Sequence, residues 1–157
     1  MSSHGRQLNG RKLVIVDIEN LVGHPCPTRG DVDWVREQLL RKVVLQPGDQ
    51  LVIGVSHIGL LEVGCNWPHV RYVVRSGKDG ADLALLDVLG EDVASRFGRV
   101  VIASGDGIFA DAATQLRLPI GVVSRRGGLS ARLRLVANRV TYLTDNDDPN
   151  TSPHCAA

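Results

Sequence analysis

The chain has 157 residues, 43% of them hydrophobic but only 4% aromatic, and a formal charge of +1. That length accommodates one domain with a sheet covered on both faces. The aliphatic bias disfavours an aromatic-rich β-sandwich, and the near-neutral charge confines any nucleic-acid contact to a local patch. No apolar run approaches the roughly 18 residues that cross a bilayer, and the polar start lacks the apolar region of a signal peptide. Three cysteines without a CxxC argue against a disulfide framework, so a cytoplasmic protein with reduced thiols and no membrane partner is expected.

Residues 1–11 are polar and Gly-containing and are expected to form a flexible N-terminus. The domain proper is expected over residues 12–143. Its first strand, Lys12 to Asp17, is an aliphatic run that ends on a carboxylate, as a strand buried on both faces would. Gly23 to Gly30 is too rich in Pro and Gly for regular structure and is expected to overhang the end of that strand. Asp31 or Asp33 then caps a helix to about Val44, with Val35, Leu39, Leu40 and Val43 at helical spacing. Gln50 to Ser56 is the second strand and His57 to Cys65 a short helix. His57, just past a strand end, is within reach of the same edge as Asp17, although a solvated or backbone-bonded histidine is the plainer reading.

Val70 to Arg75 is the third strand. Gly77-Lys78-Asp79-Gly80-Ala81-Asp82 leads into a helix in which Asp79 and Asp82, three apart, share a face of the first turn. Arg99 to Ser104 is the fourth strand, followed by Gly105-Asp106-Gly107 and a helix to about Leu116. Leu118 to Ser124 is the fifth. A basic glycine turn, Arg125-Arg126-Gly127-Gly128, then enters a helix capped by Ser130 and carrying Arg132 and Arg134. Arg139 to Leu143 is a short last strand, and residues 144–157 are expected to be a disordered tail. The alternation predicts an α/β fold with a mainly parallel central sheet of five to six strands between helical layers.

In such a sheet ligands bind beyond the carboxyl ends of the strands. Asp17, the Asp79/Asp82 pair and Asp106 all fall there, with Asn20 as an uncharged oxygen or donor. Carboxylates brought together repel one another unless a cation neutralises them, and hard oxygen ligands select magnesium or manganese. Lys78, Arg125, Arg126, Arg132 and Arg134 are placed to ring the acidic centre and hold phosphates. His24, Cys26, Cys65 and His69 match no strict zinc spacing.

The series Val14-Ile15-Val16-Asp17-Ile18-Glu19-Asn20, then Gly77 to Asp87, then Ala103-Ser104-Gly105-Asp106-Gly107-Ile108-Phe109 resembles the NYN domain, a PIN-like nuclease family. The likeness extends to Leu129–Asn138 and covers roughly Lys12 to Leu143. It implies a PIN-like three-layer α/β/α sandwich that hydrolyses RNA phosphodiesters with Mg2+ or Mn2+, and a domain that often forms homodimers. Carried over by position, Asp17, Asp82 and Asp106 become metal ligands and Asn20 positions the metal water or a phosphate. Asp79 and Asp87 are further candidates.

One departure stands out. The family usually reads Ser-Gly-Asp-x-Asp-Phe where this chain has Ile108, so a carboxylate is replaced by an aliphatic side chain, and Asp111 is the nearest substitute. Two alternatives to a ribonuclease therefore stay open. One is an RNA-binding or regulatory module with a degraded site. The other is a phosphatase or nucleotide-binding enzyme, although Asp17-Ile18-Glu19 is not the Asp-x-Asp of aspartate-nucleophile phosphatases and no phosphate-binding glycine motif follows a strand.

Overall fold

The computed structural model describes residues 10–77 and 79–144. The expectations for residues 1–9, for Lys78 and for the tail from residue 145 lie outside the described residues. The strands are β1 (Lys12–Asp17), β2 (Gln50–Val55), β3 (Arg71–Val74), β4 (Arg99–Ala103), β5 (Ile120–Arg125) and β6 (Arg139–Leu143). Between them run α1 (Ile18–Val22), α2 (Arg29–Lys42), α3 (Leu60–Asn66), α4 (Gly80–Leu89), α5 (Val93–Arg96), α6 (Ala110–Leu116) and α7 (Ala131–Val136). A single 3-10 turn, Gly107–Phe109, leads into α6.

All six strands are parallel and pair in the order β3-β2-β1-β4-β5-β6. The fold is α/β, with one sheet between two helical layers, and the predicted strand number is met at its upper limit. β1 is buried along its whole length because it is central and covered on both faces. Its side chains alternate accordingly. Val14 and Val16 join one apolar cluster with Val32, Val35 and Leu39 of α2 and Val63 of α3, while Leu13 and Ile15 join the other with Leu85 and Val88 of α4 and Leu133 of α7. Each of these side chains contributes about 1.5–3 kcal/mol by leaving water.

Helices α1 to α3 thus lie on one face and α4 to α7 on the other. That is the consequence of right-handed crossovers: the chain walks outward from β1 to β3, then recrosses to β4 on the opposite side. The strand order reverses between β1 and β4, which opens a crevice beyond their carboxyl ends.

The start of α2 differs from the expectation. Thr28, not Asp31 or Asp33, is its cap: the Thr28 hydroxyl accepts from the Asp31 N–H while the Asp31 carboxylate accepts from the Thr28 N–H. This reciprocal pair starts the helix inside the stretch expected to be irregular. Neither α1 nor α5 was expected, each being about one turn long and too short to carry an apolar period. Among the described residues no helix is long and apolar enough to cross a membrane.

Candidate active site

Three loops meet at the reversal point. β1 ends on Asp17, whose carboxylate accepts from the Asn20 N–H at 3.3 Å and so starts α1. β4 ends at Ala103, and Ser104 follows, fully buried, with its hydroxyl donating to Asp17 Oδ2 at 3.1 Å and accepting from the Asp106 N–H at 3.1 Å. Asp106 in turn accepts from the Ile108 N–H at 3.0 Å and caps the 3-10 turn. The third loop enters α4, whose first turn carries Asp82 behind Asp79, a residue in the left-handed backbone region with φ +58°.

Asp17, Glu19, Asn20, Asp79, Asp82 and Asp106 line one polar pocket of about 200 Å3, together with Ser56 and the backbone around Gly77. Asp17 is 3% exposed. Burial, with the charge and hydrogen bond of Asp82 beside it, pushes its carboxyl up to about 8, against the lowering pull of the Asn20 and Ser104 donors. Asp82 is also raised, by burial and then by the charges of Asp106, Asp79 and Glu19, while the hydrogen bond it shares with Asp17 works the other way. Two carboxyls therefore hold a proton between them over a range where isolated carboxylates are ionised. Among the described residues no three Asp, Glu, His or Cys side chains are arranged to ligate a single ion as they stand.

Asn20 has a divided role. Its side-chain oxygen accepts from the Gly105 N–H at 2.9 Å and ties α1 to the loop after β4. The amide NH2, together with the second lone pair of that oxygen, is what it can offer to the pocket. Glu19 was not singled out from sequence. One of its oxygens accepts from the Ser56 N–H at 3.0 Å, which anchors it at the end of β2. Its only sequence signal is its place two residues beyond Asp17, and the anchoring partner lies 37 residues away.

Other candidates are placed elsewhere. Asp87 does not line the pocket; it is exposed and paired with Arg75 at 3.6 Å. Five residues beyond Asp82, it is turned about 140° around α4. Asp111 is likewise outside, in an exposed ion pair with Arg132 at 3.0 Å. Ile108 packs against the core cluster beneath α4 and α7. The position where the resemblance expects a carboxylate is thus occupied by a hydrophobic contact.

Arg125 reaches across to the end of α1, so closely that a methyl group at Gly23 would collide with its guanidinium. Arg126 lies over the Tyr142 ring, 5.1 Å from its centroid, and Arg134 is exposed on α7. Lys78 lies outside the described residues. His57 is exposed and hydrogen-bonded through Nδ1 to the Ser76 hydroxyl, beside the acidic pocket but not lining it. Of the residues weighed for zinc, Cys26 and Cys65 are exposed free thiols and His24 pairs with Asp31 at 2.9 Å.

No family model matches the sequence, and no curated protein matches it in sequence. Among solved structures the chain is similar to a protein of unknown function, VPA0982, from Vibrio parahaemolyticus RIMD 2210633, with a TM-score of 0.58 and 16% identity over 93% of this chain and 98% of that one. At that identity the likeness is one of fold.

Proposed function

We propose that this chain is a divalent-metal-dependent ribonuclease of the PIN-like, NYN type, acting at the pocket beyond β1 and β4. The observation that carries the reading is the gathering of Asp17, Asp82 and Asp106, with Asp79 and Glu19, around one small polar pocket at the reversal of strand order. The donors are all hard oxygens, which suits Mg2+ or Mn2+. The raised carboxyls of Asp17 and Asp82 mark a site where positive charge would be stabilising.

Asp17, Asp82 and Asp106 would hold the ion, which supplies Lewis-acid polarisation of a phosphate oxygen and an acidified water when bound. Ser104 fixes the orientation of the Asp17 carboxylate through its hydroxyl. The Asn20 amide donates to a non-bridging phosphate oxygen. Glu19, with one oxygen held by the Ser56 N–H, has its other oxygen available to accept a proton from an attacking water. Arg125, at the end of α1, is the described cation best positioned to hold the RNA backbone.

Calorimetric titration of manganese into the wild type and the Asp106→Asn and Asp17→Asn variants, followed by incubation with mixed single-stranded RNA, tests this. Metal uptake and cleavage are expected in the wild type. Cleavage should fall more than about a hundredfold in each variant, since even partners that merely support metal ligands are worth about 10- to 100-fold. Undiminished cleavage in both variants would sink the assignment. A second reading, an RNA-binding module that does not cut, is favoured by Ile108, whose side chain is committed to the core. RNA bound by the wild type but left intact with every divalent ion would select it.

A further inference from the structure

The opposite edge of the same sheet carries a second constellation. β1, β4 and β6 each begin with a basic residue, Lys12, Arg99 and Arg139. Register places these side chains on one face. Lys12 pairs with Arg99 in the parallel ladder, Val101 with Gly121, and Gly121 with Arg139. The face is that of Val14, Val101 and Val123, covered by α1 to α3. Those helices stack over β1 to β3, and only α2 extends toward the far strands, where Gln38 meets Thr144. Beside the end of α2 a cavity of about 300 Å3 is left, with Lys42 at its rim and Val101, Gly121 and Val123 in its floor.

Lys12 and Arg99 are like charges on adjacent strands, which is destabilising unless something offsets it, whereas Arg139 stands two strands from Arg99 and both arginines are exposed. Lys12 is offset, since its ammonium pairs with the buried Asp49 at 2.5 Å. Among the described residues, Lys42, Arg99 and Arg139 have no ion-pair or hydrogen-bond partner. Three free cations thus border a bed of valines and a glycine. Two guanidiniums and an ammonium exceed the charge of one carboxylate and suit the multiple oxygens of a phosphate. The apolar floor calls for an organic body attached to it. A volume near 300 Å3 is at the small end of ligand pockets.

We propose that this cavity binds a small organic phosphate of mononucleotide size, with Arg99, Arg139 and Lys42 on the phosphate and the organic body over Gly121. The site is separate from the acidic pocket, at the other end of the strands, and does not rest on the ribonuclease reading.

The test is calorimetric titration of AMP into the full chain in a chelator, so that no divalent ion recruits the nucleotide to the acidic pocket. Saturable binding is expected, weakened about tenfold in each of Arg99→Gln and Arg139→Gln, as loss of one charge-assisted contact implies. It should be unchanged in Asp106→Asn and weaker at high salt. A Cβ at Gly121 meets only ordinary contact, with Val101 at 3.6 Å, so Gly121→Leu should fill the floor and abolish binding with the cations intact. Absence of saturation in the wild type would overturn the proposal, as would undiminished binding in both arginine variants. Inorganic phosphate binding as tightly as AMP would overturn the role given to the floor.

Discussion

Asp17 is held in a state that favours its protonated form, and this has a measurable sign. Its carboxyl titrates near 8 when folded and near 3.8 when unfolded. Between those values the folded chain binds more protons than the unfolded one. The stability contributed by that proton is therefore complete below about pH 4 and lost as pH rises through 8. Asp17→Asn removes the repulsion and keeps its one oxygen for the Asn20 N–H, with its NH2 donating to the Ser104 hydroxyl oxygen. In metal-free buffer at pH 8 the variant should be more stable than wild type by about 2 kcal/mol, or roughly 6 °C in Tm, with the gap closing by pH 4. Thermal melts across that range check it; a variant melting below wild type at pH 8 would show that Asp17 is ionised without strain. Asp17, Asp82 and Asp106 were legible because each follows a strand exit, whatever the rest of the fold does. Asp87 and Asp111, named from sequence as further candidates, fall outside the pocket because helix phase and a nearby arginine, not sequence distance, decide where a carboxylate points.

At the scale of elements, the site depends on how closely the loop after β4 packs on the turn after β5. A Cβ on Gly105 would lie 1.9 Å from the Gly128 carbonyl oxygen, a backbone atom with no rotamer to yield. The Gly105 carbonyl also accepts from the Ser130 N–H at 2.8 Å, one residue before α7 begins. Gly105→Ala should therefore separate the two loops, cost about 2–4 kcal/mol by chemical denaturation, and abolish the proposed cleavage through displacement of Asp106. A variant of wild-type stability would mean that the turn after β5 can retreat freely. Six strands and the long helices were legible because their periods run over many residues, whereas α1 was not. It is started by the Asp17 carboxylate itself, so one residue both lines the acidic pocket and caps the helix that presents Asn20.

The whole molecule is nearly neutral, and several of its described cations stand in ion pairs. Arg71, Arg75 and Arg132 pair with Glu91, Asp87 and Asp111, and Lys12 with Asp49. Of the described cations that the proposed RNA contact could use at the acidic edge, Arg125, Arg126 and Arg134 are in no ion pair. On the proposed reading, single-stranded RNA binding should show a shallow salt dependence, a slope of about −1.4 to −2 in log–log form, as neutralising two or three phosphates predicts. A slope steeper than about −4 would point to a broad basic surface that includes residues outside those described. The three-layer class was legible from alternation alone. The strand order was not, because pairing partners far apart in sequence leave no local trace.

That order also determines when the site can exist. β1 is the first strand made, yet the hydrogen bond joining Asp17 to Ser104 spans 87 residues, and β2 and β3 are synthesised before β4. A nascent chain can stack β1, β2 and β3 under α2 and α3 while the acidic pocket still lacks a wall. Contacts so distant in sequence form slowly, since the intervening chain must be closed before they return anything. The acidic pocket thus cannot be walled before β4 is made, and every nascent chain that ends within β4 lacks Ser104 and Asp106.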